Sequence, residues 1–81
     1  MNISANHTLD AKGLYCPEPV MLLHKLVREV AHGEVIEVLA TDPSTQRDIP
    51  KFCTFLGHEL LNEESTDAGE FRYLIRKLDD A

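Results

Sequence analysis

The sequence predicts a two-layer α/β sandwich of order βαβαββ, a four-stranded mixed sheet with two helices on one face. Three observations lead there. Two segments repeat apolar residues at helical spacing, strand-like runs rich in Val, Ile and Leu flank them, and Gly and Pro stand singly between these segments as punctuation. Right-handed crossovers then place both helices on the same side unless the strand order reverses between them. The chain has 81 residues, 43% hydrophobic and 27% charged, which makes one domain, residues 1–81, with a single small core.

Residues 7–10 form the first expected strand, closed by Lys12-Gly13, where Gly13 can take the positive φ of a tight turn. Over residues 17–31 the period is helical: Val20, Leu23, Leu26, Val27 and Val30 share one side, and Gly33 fits the left-handed position past a helix end. Residues 34–41 read as a strand buried on much of both faces, as expected in mid-sheet. Asp42 is the expected N-cap of a second helix, with Pro43 at its first position. Pro50 should kink that helix or divide it, with the main part restarting near Asp48, because proline lacks a donor and crowds the preceding turn. There Ile49, Phe52, Cys53 and Leu56 form one apolar stripe, ended by Gly57. Residues 58–63 and 71–77 are a closing pair of strands around the polar loop holding Ser65, Thr66, Asp67 and Gly69. In the last strand Phe71, Tyr73 and Ile75 should meet the core while Arg72, Leu74 and Arg76 face mainly water.

Composition removes several classes of function. Fourteen acidic against eight basic residues leave a net charge of −6, which repels phosphate backbones, so direct nucleic-acid binding is not expected. The longest apolar run, residues 20–23, is far below the roughly 20 residues of a membrane span, and no membrane association is expected. Residues 1–7 carry neither a basic start nor an apolar stretch, so no secretory leader is expected and the compartment is read as cytoplasmic. In that compartment Cys16 and Cys53 are expected to be free thiols. His7, His24, His32 and His58 lack metal-ligand spacing, and neither a Cys-x-x-Cys pair nor a Gly-rich phosphate loop occurs. No metal and no cofactor are expected.

The chemistry concentrates at Cys16, at the mouth of the first helix. With Cys16 as N-cap, Pro17 and Pro19 take the first and third helical positions, where a missing N–H costs little. The free donors of Glu18 and Val20 can then point at the sulfur, and the positive end of the helix dipole favours a thiolate or persulfide anion over the neutral thiol. Pro17, Glu18, Pro19 and Val20 are therefore the candidate stabilising residues. Cys53, inside an apolar stripe, reads as a small hydrophobe with a raised pKa. It offers no resolving partner for Cys16. Glu18, Met21, Lys25 and Arg28 fall opposite the core stripe and run away from the thiol as a mixed charged face with an exposed thioether. Asp42, ahead of the second helix, and Phe55, on the flank of its stripe, complete the candidate docking set.

Residues Leu9-Asp10-Ala11-Lys12-Gly13-Leu14-Tyr15-Cys16-Pro17-Glu18-Pro19 resemble the signature of the TusA, or SirA-like, family of bacterial sulfur carriers. The resemblance extends to Asp42-Pro43, Thr45-Gln46-Arg47-Asp48-Ile49-Pro50, Phe52-Cys53-Thr54-Phe55 and Tyr73-Leu74-Ile75-Arg76-Lys77, and so covers nearly the whole chain. It implies that Cys16 accepts a sulfane sulfur as a persulfide from a cysteine desulfurase. The sulfur would then pass to a downstream relay protein, for the 2-thio group of the wobble uridine in certain transfer RNAs. Such a chain is a carrier and not a free-standing catalyst, and one that docks serially is expected to be a monomer. One departure is visible: His24 stands where the best-known member has Arg, which changes the charge of the docking surface. Other readings of the same thiol are sulfur supply for molybdenum-cofactor maturation or sulfur oxidation, a one-cysteine reductase or peroxidase, and a regulatory binding module in which Cys16 is structural. The enzyme reading lacks an evident general base, resolving Cys or substrate pocket.

Overall fold

The computed structural model of the chain describes residues 5–78; residues 1–4, read above for a leader, and residues 79–81 lie outside them. Six elements follow in the expected order: β1 (His7–Ala11), α1 (Glu18–Glu29), β2 (Val35–Ala40), α2 (Thr45–Leu56), β3 (Glu59–Ser65) and β4 (Phe71–Arg76). The sheet order is β1-β2-β4-β3. β1 runs parallel to β2, from His7 opposite Ile36 to Ala11 opposite Ala40, and β4 is antiparallel to both β2 and β3. One parallel pair in an otherwise antiparallel sheet follows from connectivity, since β1 and β2 are joined by a crossover helix and β3 and β4 by a hairpin.

Both helices cover the same face. Leu23, Val27 and Val30 from α1 and its end, and Ile49, Phe52 and Cys53 from α2, pack on Ile36, Val38 and Ala40 of β2 and on Tyr73 and Ile75 of β4. Each fully buried aliphatic side chain contributes about 1.5 to 3 kcal/mol of transfer free energy. β2 is buried on much of both faces, as its composition demands of an inner strand. Among the described residues no helix is long and apolar enough to cross a membrane.

The structure corrects several expectations. α1 begins one residue later than expected: Pro17, not Cys16, is its N-cap, and Pro19 takes the second helical position. The cause is a turn ahead of the helix, in which Glu18 N–H donates to the Tyr15 carbonyl at 2.9 Å, so that the first helical bond runs from Met21 N–H to Pro17 O at 3.0 Å. The Cys16–Pro17 peptide is cis. The helix also stops before Gly33, because Val30 turns extended to enter the core and its carbonyl is taken by Lys77 Nζ at 2.9 Å. Gly33 serves the following turn instead, at φ +88°.

Ser44, not Asp42, is the N-cap of α2, and Pro43 stays outside the helix. Residues 45–47 bond back three residues to Asp42, Pro43 and Ser44, and Asp48 N–H makes the first four-residue bond, to Ser44 O at 3.0 Å. Pro50 does not divide the helix, which continues from Thr45 to Leu56. The acceptor its missing N–H leaves idle is the carbonyl of Gln46, an exposed residue that water can serve. Gly57 closes α2 at φ +78°, its N–H returning to Cys53 O.

On the open face of the sheet, Leu74 is buried to 2% exposure rather than facing water. Register sets Glu37 and Asn62 beside it, with Arg72 and Arg76 two residues away on the same face. Arg72 bridges Glu37 and Glu64, and Arg76 reaches Glu59 at 3.4 Å, so long aliphatic stems held by their charged heads roof the leucine.

Candidate functional site

Cys16 is exposed in the loop between β1 and α1, and that loop is held by the one between β2 and α2. Gly13 N–H donates to Thr41 Oγ1 at 2.8 Å and Cys16 N–H to Asp42 Oδ2 at 2.6 Å. Asp42 gathers further donors: Ser44 N–H on Oδ1 at 3.0 Å and Ser44 Oγ–H on Oδ2 at 2.8 Å. The backbone N–H groups of Ser44 and then Cys16 hold its carboxyl below the usual carboxylate range. Asp42, expected to contact a partner, is thus half-buried with both oxygens spent on its own chain, where it fixes the path of the backbone at Cys16.

The sulfur has a neighbour that sequence spacing does not show. Cys16 Sγ donates to Asp48 Oδ2 at 3.5 Å, across 32 positions of sequence. Arg47 Nε donates to the other oxygen, Oδ1, at 2.9 Å, and this ion pair is the main reason that Asp48 lies below the usual carboxylate range. Tight spacing of Cys16 and a base in sequence would have betrayed the contact; only the packing of α1 against α2 creates it.

The expected helix-mouth residues separate into different tasks. Glu18 N–H is taken by Tyr15 O and so does not serve the sulfur, and the Pro19 side chain is buried beneath the helix. Pro17 and Val20 line a furrow of about 360 Å³ between the helices, together with Cys16, Asp48, Lys51, Phe52, Phe55 and Leu56. A second hollow of about 380 Å³, reaching Arg28, His58 and Lys77, shares His24, Phe55 and Leu56 with it. His24 stands edge-on to Phe52, with centroids 4.8 Å apart, and so fills the furrow floor as an aromatic instead of projecting a long cation.

Of the expected docking residues, Glu18, Met21, Lys25 and Arg28 are all exposed on α1, Met21 at 61%. Phe55 stands across the furrow at 88% exposure, far more than a half-buried packing residue would show. Tyr15, beside the thiol, is exposed at 71% and was not singled out by the sequence pattern. Large apolar side chains this open, around one thiol, are surface that folding leaves unused. Cys53 is the opposite case: it is 3% exposed and burial pushes its thiol up to about 11. Among the described residues no three His, Cys, Asp or Glu side chains gather as a metal ion would require.

The sequence profile of a family described as sulfurtransferase TusA matches residues 7–77. The chain is 67% identical over 73 residues to the sulfur carrier protein TusA of Pseudomonas entomophila (strain L48), covering 90% of each. It is 59% identical over 80 residues to that of Pseudomonas aeruginosa (strain LESB58), covering 99% of this chain and 100% of the other. Its fold is similar to the crystal structure of a SirA-like protein from Desulfitobacterium hafniense, with a TM-score of 0.79 at 26% identity over 90% of this chain and 99% of that one. With the profile spanning six elements and relatives this close over nine-tenths or more of each chain, the chain belongs to the sulfurtransferase TusA family of sulfur carriers.

Proposed function

We propose that the chain carries sulfane sulfur as a persulfide on Cys16, taken from a cysteine desulfurase and passed to a downstream relay protein. The observation that carries this reading is the contrast between the two thiols. Cys16 is exposed on a loop fixed by Asp42, whereas Cys53 is sealed in the core with its proton held. A carrier needs one sulfur that two different proteins can reach in turn, and it needs that sulfur to arrive at each in the same place.

The destination we assign is the 2-thio group of the wobble uridine of transfer RNA, in keeping with the chain's kinship to sulfur carriers. The chain acts as a monomeric cytoplasmic relay and not as a free-standing catalyst. With its net charge of −6 it does not bind the transfer RNA itself. Docking uses Glu18, Met21, Lys25 and Arg28 on the exposed side of α1 with Phe55 of α2, which lines the same furrow as Cys16.

The test is intact mass after incubation with a cysteine desulfurase, pyridoxal phosphate and cysteine. A gain of one sulfur atom, removable by reductant and mapping to Cys16, is the expected result. Sulfur found on Cys53 alone, or none on either thiol, overturns the reading. A relay assay with purified acceptor proteins then decides between transfer-RNA thiolation and the other sulfur-consuming routes.

A further inference from the structure

A thiol that both takes and gives sulfur must manage a proton at each step, and the contact between Cys16 and Asp48 places a group to do so. Asp48 Oδ2 lies 3.5 Å from Sγ, while Oδ1 is pinned by Arg47 Nε at 2.9 Å. That pin keeps the carboxylate from turning and leaves the other oxygen for the sulfur. Asp48 is only half-exposed, in a furrow lined by the apolar Pro17, Val20 and Phe52 and by Lys51, whose charge acts on Asp48 beside that of Arg47. A second negative charge on the sulfur would face the Asp48 carboxylate directly.

We propose that Asp48 is a catalytic residue of sulfur transfer, its Oδ2 relaying a proton between Cys16 Sγ and the outer sulfur of a Cys16 persulfide. The proposal rests on the reading that Cys16 carries that persulfide. In the loaded carrier the outer sulfur keeps its proton and donates it to Oδ2. An acceptor thiolate attacks the outer sulfur. The new S–S bond forms as the Sγ–S bond breaks, its electron pair goes to Sγ, and the proton crosses through Oδ2 to Sγ. The products are an acceptor persulfide anion and the Cys16 thiol in its observed bond to Asp48. Sulfane sulfur changes hands with no net oxidation, and the negative charge leaves with it.

The unproductive form is the ionised persulfide, whose negative outer sulfur repels a thiolate. The Asp48 carboxylate at the sulfur, with Asp42 on the Cys16 backbone, disfavours that form, and the Arg47 and Lys51 cations act against them. Because Arg47 keeps Asp48 ionised, the proton passes through the carboxylate without resting on it.

The experiment loads wild type, Asp48→Asn and Asp48→Glu with sodium polysulfide, confirms one added sulfur by intact mass, and follows discharge to 2-mercaptoethanol across a range of pH. Asp48→Asn is expected to hold its sulfur but discharge it about a hundredfold more slowly, the low end of the range for acid–base assistance. Its deficit should widen as pH rises, since an amide donor stabilises the ionised persulfide, and Asp48→Glu should recover part of the rate. Discharge by Asp48→Asn at the wild-type rate with the wild-type pH profile overturns the proposal while leaving the carrier reading intact. Failure of wild type to take sulfur on Cys16 overturns both. If Asp48→Asn does not fold, Arg47→Gln serves: its side chain is 63% exposed, and releasing the pin should slow discharge several-fold, whereas an unchanged rate counts against the relay.

Discussion

Tyr73 Oη and Thr45 Oγ1 lie 2.9 Å apart inside the core, and Thr45 Oγ1 also donates to the Asp42 carbonyl at 2.7 Å. The centre of the sheet is thereby tied to the residue that holds the backbone at Cys16. Burial is the main cause holding the Tyr73 phenol above its ordinary range, as expected of a hydroxyl kept for hydrogen bonding. Thr45→Val leaves the phenol with no partner in that pair and should cost about 1 to 3 kcal/mol in urea denaturation. Tyr73→Phe leaves Thr45 bonded to Asp42 and should cost less, about 1 kcal/mol. If Tyr73→Phe proves the more damaging, the two hydroxyls are not arranged as a chain ending on Asp42.

The two cysteines should separate cleanly. Cys16→Ser is expected to abolish sulfur loading with no change in the denaturation midpoint, because the side chain is exposed. Cys53→Ser should load normally and lose roughly 1 to 3 kcal/mol, because its hydroxyl is buried among Leu23, Ile49 and Phe52. Intact mass and denaturation on the same preparations check both statements.

Phe55→Ala should leave stability within about 0.5 kcal/mol of wild type, since so little of the ring is buried, yet weaken desulfurase binding tenfold or more. Arg28→Glu should weaken binding several-fold and reduce its salt dependence, while Glu63→Lys, on β3 away from the furrow, should change little. Binding isotherms at two ionic strengths decide. A Glu63→Lys loss with Arg28→Glu unaffected moves the docking face from α1 to the sheet edge.

Alkaline stability carries a signature of the core thiol. Folded Cys53 keeps its proton to about 11 against an ordinary value of 9.0. Below about pH 9 both states are protonated and nothing is lost. Between there and pH 11 the unfolded chain binds fewer protons than the folded one, so stability falls as pH rises, by roughly 2 to 3 kcal/mol in all. Tyr73 adds a loss of the same sign. Cys53→Ala should flatten the fall without removing it, and an unchanged slope shows that Cys53 is not the titrating group.

The element order was legible because α1 and α2 each concentrate their apolar residues on one side, and because β2, with Val35, Ile36, Val38 and Ala40 buried, has the composition of an inner strand. Cys16 was legible from local chemistry alone. What escaped was set by contacts across the chain. Pro50 breaks a local rule, but one idle exposed carbonyl is a small cost against the packing of Ile49, Phe52 and Cys53 on either side of it. Leu74 alternates with core residues and yet is buried, because arginines on its own strand and carboxylates on its neighbours close over it. Asp48 reads in sequence only as the place near which the second helix restarts, since nothing in its neighbourhood along the sequence marks it as the carboxylate that meets Cys16.

The order β1-β2-β4-β3 also governs when the carrier can come into being. β3 has a single neighbour, β4, so a nascent chain that has not yet reached Phe71 holds β1 beside β2 and leaves β3 with no strand to join. Tyr73, the phenol under the Thr45 and Asp42 loop, arrives in that same last stretch. While residues 71–76 remain inside the ribosome, the sheet has a gap at its centre and the loop that aims Cys16 lacks its support. Positioning of the thiol is therefore coupled to the emergence of β4, and a chain stalled or cut before Phe71 lacks the strand under the loop that holds Cys16.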